Sequence, residues 1–138
     1  MPDAAGNALA CRLSAWQGAY AVSHPRGRSV LVVDDDDDIR EVIAEILRAE
    51  GYDVTCASNG AKALEELHKE RHPDLVLLDL MMPVMSGWEV LEEIQAEEKL
   101  ARIPIVVVSA MHAPGACEHL AKPVDLERLL STVGRLTG

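Results

Sequence analysis

The chain has 138 residues, the length of one ordinary domain, and at 49% hydrophobic it carries enough apolar side chain for a single packed core. Its formal net charge is −10, and residues 29–138 carry −12, because residues 1–28 set Asp3 against Arg12, Arg26 and Arg28 for a charge of +2. So acidic a surface opposes non-specific attraction to a phosphate backbone, and no nucleic-acid partner is expected. No apolar stretch approaches the roughly 20 residues that span a bilayer, and no basic-then-apolar export signal opens the chain, so the expectation is a cytoplasmic protein without a membrane partner. Cys11, Cys56 and Cys117 are odd in number and without CxxC pairing, which supports neither a disulfide framework nor a zinc site.

Residues 1–28 form an extension distinct from the remainder of the chain. Leu9, Leu13, Trp16 and Tyr20 recur at spacings of four, three and four, compatible with a short amphipathic helix, before the breaker-rich Ser23-His24-Pro25-Arg26-Gly27-Arg28. Docking on the sheet, contact with a partner, and no role at all fit this pattern equally. From residue 29 to 138 short β-branched runs alternate with amphipathic stretches, the pattern of a parallel sheet covered on both faces. The predicted strands are Val30–Asp34, Asp53–Ala57, Asp74–Asp79, Pro104–Ser109 and a short Glu118–Ala121.

The first predicted helix buries Ile39, Val42, Ile43, Ile46 and Leu47, with an aspartate as N-cap and Gly51 as its stop. The second is capped by Asn59, turns Ala63, Leu64 and Leu67 inward, and is closed off by Pro73. The third follows Ser86-Gly87, with Trp88, Leu91 and Ile94, and Val90 beside them, as its inner face. The last starts near Asp125 and aligns Leu126, Leu129, Leu130 and Val133. Between Ser109 and this helix only Ala110–Ala121 is available for a return connection and a strand. A helix of about 11 residues, a strand of about 5 and two loops of about 4 would need roughly twice that. Pro114-Gly115 also opposes a helix there, so a largely missing fourth helix and an under-covered sheet face are expected.

The chemistry sits at the strand ends. Five aspartates, Asp34 to Asp38, directly follow Val30-Leu31-Val32-Val33; Leu75-Val76-Leu77-Leu78 ends in Asp79, and Ile105-Val106-Val107-Val108 ends in Ser109. Crowded carboxylates repel unless protonated or neutralised by a cation, and an all-oxygen set suits a hard ion such as Mg²⁺. Ligands of parallel α/β sheets bind beyond the carboxyl ends of the strands, where Asp34, Asp35, Asp79 and Ser109 would converge and Lys122, after the fifth strand, could reach a bound anion.

Val32-Val33-Asp34-Asp35, Leu77-Leu78-Asp79-Leu80-Met81-Met82-Pro83, Val107-Val108-Ser109-Ala110 and Ala121-Lys122-Pro123 together resemble the receiver domain of two-component response regulators, in the right order over about residues 29–137. The short spacing from Ser109 to Lys122 departs from the family pattern. The resemblance implies a flavodoxin-like, doubly wound five-stranded parallel sheet of order 2-1-3-4-5, in a stand-alone response regulator. It implies Asp79 as phosphoacceptor, with Mg²⁺ held by Asp34, Asp35, Asp79 and the Met81 backbone carbonyl. Lys122 and Ser109 would engage the phosphoryl group, and Ser109 and His119 would form the switch. A histidine kinase or a histidine phosphotransfer protein would be the donor, and an unknown downstream protein the target. Met81 and Met111 stand where a side chain could orient an attacking water, and neither thioether does so well, so slow self-dephosphorylation is expected.

Two other readings fit parts of the pattern. A haloacid dehalogenase-like phosphatase needs a DxD motif, which Asp34-Asp35-Asp36 supplies, but it leaves the Leu-Met-Met-Pro and Lys-Pro segments unexplained. A binding module that uses the fold without phosphorylation is the other. The remaining histidines, His24, His68, His72 and His112, show no ligand spacing.

Overall fold

The computed structural model describes residues 27–82, 85–110 and 118–137. The helix expected in the N-terminal extension and the largely missing fourth helix, which fall on residues 1–26 and 111–117, lie outside these, as do Cys11, Cys117, His24, His112, Pro83 and Met111. Five strands, β1 (Ser29–Val33), β2 (Asp53–Ala57), β3 (Leu75–Asp79), β4 (Ile105–Ser109) and β5 (Glu118–Ala121), pair in parallel in the order β2-β1-β3-β4-β5. Among the described residues four α-helices accompany them: α1 (Asp37–Ala49), α2 (Gly60–Leu67), α3 (Gly87–Ala96) and α4 (Leu126–Thr137). Strand bounds agree with the sequence reading to within one residue, and the sheet order agrees with the one the resemblance implies.

The central strands are unbroken apolar runs because both faces are buried. Val30, Val32, Leu75, Leu77, Val106 and Val108 pack on one face against Ile43 and Leu47 of α1 and Leu129 and Val133 of α4. Their alternates Leu31, Val33, Val76 and Leu78 meet Ala63 and Leu67 of α2 and Val90 and Ile94 of α3 on the other. A 3₁₀ turn at Leu100–Arg102, which hydropathy alone did not indicate, adds buried Leu100 to that second layer.

Three inward assignments are corrected. Val42 is 53% exposed, Leu126 49% and Trp88 39%. On α3 the inward residue is Val90, since Trp88-Leu91-Ile94 and Val90-Ile94 satisfy the same helical period and only the helix's rotation separates them. That rotation is fixed at Gly87. A Cβ there would collide with the Asp79 carbonyl oxygen and stand 2.6 Å from Leu80 Cα, so only glycine lets α3 start against the end of β3.

The caps explain where the helices begin. Asp36 accepts from the Asp38 and Ile39 N–H groups, Asn59 from Lys62 N–H, and Asp125 from Glu127 and Arg128 N–H. Ser86 and Glu89 form a capping box, each side chain accepting from the other's backbone N–H. Gly51, at φ 99°, follows α1 in the left-handed conformation that stops a helix.

Candidate functional site

In the order β2-β1-β3-β4-β5 the chain reverses direction of travel between β1 and β3, and the crevice at that point lies beyond the carboxyl ends of both strands. Asp34 follows β1 and Asp79 ends β3, so topology alone brings residues 45 apart in sequence to one place. Both are buried at 3% exposure, whereas Asp35 is exposed at the rim. Asp34, Asp35 and Asp79 each offer a carboxylate oxygen, and the three atoms lie within 4.8 Å of one another.

Several donors fix this arrangement. Asp34 Oδ1 accepts from the Asp36 N–H at 2.9 Å, and Asp79 Oδ1 from the Met81 N–H at 3.2 Å. The Arg40 guanidinium, one turn into α1, donates to the Asp34 carbonyl at 2.8 Å and to the Asp37 carboxylate at 2.6 Å, tying the acidic loop to the helix. Sequence reasoning missed Arg40; its spacing of six from Asp34 gave no signal without the loop's geometry. Lys122 reaches in from the end of β5, its Nζ 3.2 Å from Asp34 Oδ2 and 3.6 Å from Asp79 Oδ2. The Lys122-Pro123 peptide is cis.

Electrostatics follow from the crowding. Burial, then the neighbouring charge of Asp34, pushes the Asp79 carboxyl up from 3.8 to about 6; the Met81 N–H and the Lys122 ammonium only partly offset this. Burial would lower the Lys122 ammonium, but the Asp34 and Asp79 carboxylates outweigh it and hold the group above its ordinary value. Three ionised carboxylates facing one ammonium leave two negative charges, the charge of one divalent cation. With oxygen-only donors the set fits a hard ion of the Mg²⁺ kind.

The other predicted site residues lie as follows. Ser109 is 1% exposed at the end of β4, one step beyond the Val108 that pairs with Asp79. Its carbonyl accepts from the Lys122 N–H at 3.1 Å, and His119 Nε2 lies 3.3 Å from the same oxygen. His119 is half-buried on β5, opposite Val107. Met81 is 59% exposed at the mouth. Asp36, the second acid of the DxD pattern, is occupied as the α1 cap and is not part of the acid cluster. His68 and Glu97, both exposed, pair at 2.5 Å and are not part of the acid cluster, and His72 is exposed.

Fold and site together define a flavodoxin-like domain with an acidic crevice at the carboxyl ends of its strands. The family model of the response regulator receiver domain matches residues 30–134, and the chain belongs to that family. It is 38% identical over 127 residues to the two-component response regulator ORR11 of rice (Oryza sativa), covering 83% of this chain and 86% of that one. It is 31% identical to the polar-differentiation response regulator DivK of Brucella ovis, covering 80% of this chain and 97% of that one. Among solved structures, the response regulator protein TrrA of Thermotoga maritima, in complex with Mg²⁺ and beryllofluoride, superposes with a TM-score of 0.70 at 34% identity, covering 79% of this chain and 98% of that one. This is a domain of two-component signalling. Among the described residues no helix is long and apolar enough to cross a membrane.

Proposed function

We propose that residues 29–138 act as a receiver domain in which Asp79 accepts a phosphoryl group from a phosphohistidine of a histidine kinase or histidine phosphotransfer protein. Residues 1–28 are an extension to it. The observation that carries this reading is the buried Asp79 carboxylate, flanked by two further acids and a lysine ammonium. An Asp79 oxygen attacks phosphorus in line, an O–P bond forms as the N–P bond breaks, and the departing imidazole keeps the bond's electron pair. Asp34, Asp35, Asp79 and the Met81 backbone carbonyl would hold Mg²⁺, whose positive charge would offset the negative charge on the phosphoryl oxygens.

The chain's own groups do the rest. The Lys122 ammonium, already shared between Asp34 and Asp79, pairs with a phosphoryl oxygen once the acyl phosphate forms. The Ser109 hydroxyl donates to another such oxygen, and its movement toward the phosphoryl group, followed by His119, alters the surface that a downstream protein reads. The domain signals by protein contact in the cytoplasm, and its chemistry is confined to its own phosphorylation and dephosphorylation rather than turnover of a separate substrate. Use of Asp36 as a helix cap weighs against the phosphatase reading. Phosphotransfer from a panel of histidine kinases to wild type and Asp79→Ala tests the proposal. Transfer by at least one kinase that is abolished in Asp79→Ala is expected, and transfer that survives the substitution overturns it.

A further inference from the structure

Of the three acids that meet beyond β1 and β3, two are held through their own carboxylates. Asp34 accepts from the Asp36 N–H and from Lys122, and Asp79 accepts from the Met81 N–H. Asp35 differs. Its carboxylate accepts no hydrogen bond from any described residue and stands exposed at the rim, so the course of its backbone decides where it points.

One rigid peptide plane joins Asp34 to Asp35, and it carries the Asp34 carbonyl. The Arg40 guanidinium grips that plane from α1: Nη1 donates to the Asp34 carbonyl at 2.8 Å and Nη2 to the Asp37 carboxylate at 2.6 Å. A planar guanidinium bound to two acceptors has little freedom to turn, so it acts as a strut rather than a tether. The Arg40 side chain is 13% exposed and therefore embedded in the fold, whereas Asp37, its outer anchor, is 81% exposed. Without the strut, rotation about Asp34 ψ and Asp35 φ would tilt the plane and swing the Asp35 side chain with it.

We propose that Arg40 is a positioning residue for the acid cluster, holding the Asp34-Asp35 peptide so that the Asp35 carboxylate faces the space shared with Asp34 and Asp79. The proposal rests on the receiver reading, in which these acids hold Mg²⁺. Charge alone argues the opposite way. An arginine beside a divalent-cation site repels the cation, so removing it would tighten binding if charge were its whole effect. Lost positioning weakens binding instead, and the sign separates the two roles.

Mg²⁺ alone is titrated by calorimetry into the full chain as wild type, Arg40→Met, Arg40→Lys and Arg48→Met. Methionine keeps an unbranched apolar stem and a high helix propensity but brings no donor, and lysine keeps the charge without the planar fork. Arg48, in the last turn of α1, donates to the Val54 carbonyl, so its loss removes the same charge from the same helix without touching the acidic loop. Arg40→Met is expected to bind Mg²⁺ roughly tenfold more weakly than wild type, as loss of a group that orients a metal ligand typically does. Arg40→Lys should be weakened as well, and Arg48→Met should match wild type. In metal-free protein the Asp36 amide, which donates to Asp34 Oδ1, is expected to exchange hydrogen several-fold faster in Arg40→Met, while the Val32 and Val33 amides of β1 keep their protection. A general loss of stability would accelerate all three. Binding by Arg40→Met or Arg40→Lys as tight as wild type, equal weakening by Arg48→Met, or Asp36 exchange that is unchanged or rises only together with β1, each overturn the proposal and leave the receiver reading standing. A wild type that takes up no Mg²⁺ overturns both.

Discussion

Asp79 is held at a cost. With its carboxyl raised to about 6 by burial and by Asp34, the folded protein binds a proton that the unfolded chain, near 3.8, has already released. In that interval the folded state holds more protons, so stability falls as pH rises from about 4 to about 6 and stays lowered above it. In chelator, Asp79→Asn is therefore expected to stabilise the protein at pH 7 by up to about 3 kcal/mol. The gain should vanish below about pH 4, which urea unfolding at the two pH values will show. Mg²⁺ should stabilise the wild type more than the variant, since the proposed site is the acid cluster that only folding assembles. At the mouth, the exposed Met81 thioether is a poor partner for water, so phosphorylated protein in Mg²⁺ buffer should decay slowly and Met81→Asn should accelerate that decay. A half-life of seconds that Met81→Asn fails to shorten would count against the assignment. Of the five consecutive aspartates, the sequence pointed to the first two as ligands through the resemblance. Hydropathy could not distinguish Asp36, whose role as a cap becomes visible only in the hydrogen bonds it accepts.

At the scale of elements, the site depends on how α3 abuts β3. Alanine is ordinarily the better helix residue by about 1 kcal/mol, but at position 87 its Cβ would overlap the Asp79 carbonyl, and overpacking of that kind costs on the order of 1–3 kcal/mol. Gly87→Ala is thus expected to lower thermal stability and to weaken Mg²⁺ binding in titration calorimetry, because the backbone that must yield belongs to Asp79 itself. Unchanged values for both would refute the contact's importance. The strands were legible because parallel strands buried on both faces are uninterrupted apolar runs, and the helix starts because Asp, Asn and Ser precede them. The capping box is written in Ser86-Gly87-Trp88-Glu89, in the identity and spacing of two polar residues rather than in hydropathy. Helix rotation was not legible: Trp88 and Val90 satisfy one period, and the choice between them rests on a backbone contact 8 residues away in sequence that no periodicity encodes.

For the molecule as a whole, the parallel order β2-β1-β3-β4-β5 creates the site by bringing two strand ends together at the reversal point. Eight residues, 110–117, join β4 to β5, too few for a full helix with its loops. We propose that the surface such a helix would share with β5 and α4 differs accordingly, so that no dimer forms through it on adding Mg²⁺ and beryllofluoride, which sedimentation with and without the mimic will show. A dimer formed only with the mimic would contradict this. The most direct measurement of the central claim is the intact mass of the full chain after exposure to phosphoramidate, a small donor that needs no partner protein. With Mg²⁺ a single alkali-labile phosphoryl group is expected, mapped by borohydride trapping to Asp79 and lost both in Asp79→Ala and in excess chelator. No phosphoryl gain under these conditions, or a gain that persists in Asp79→Ala, would contradict the account.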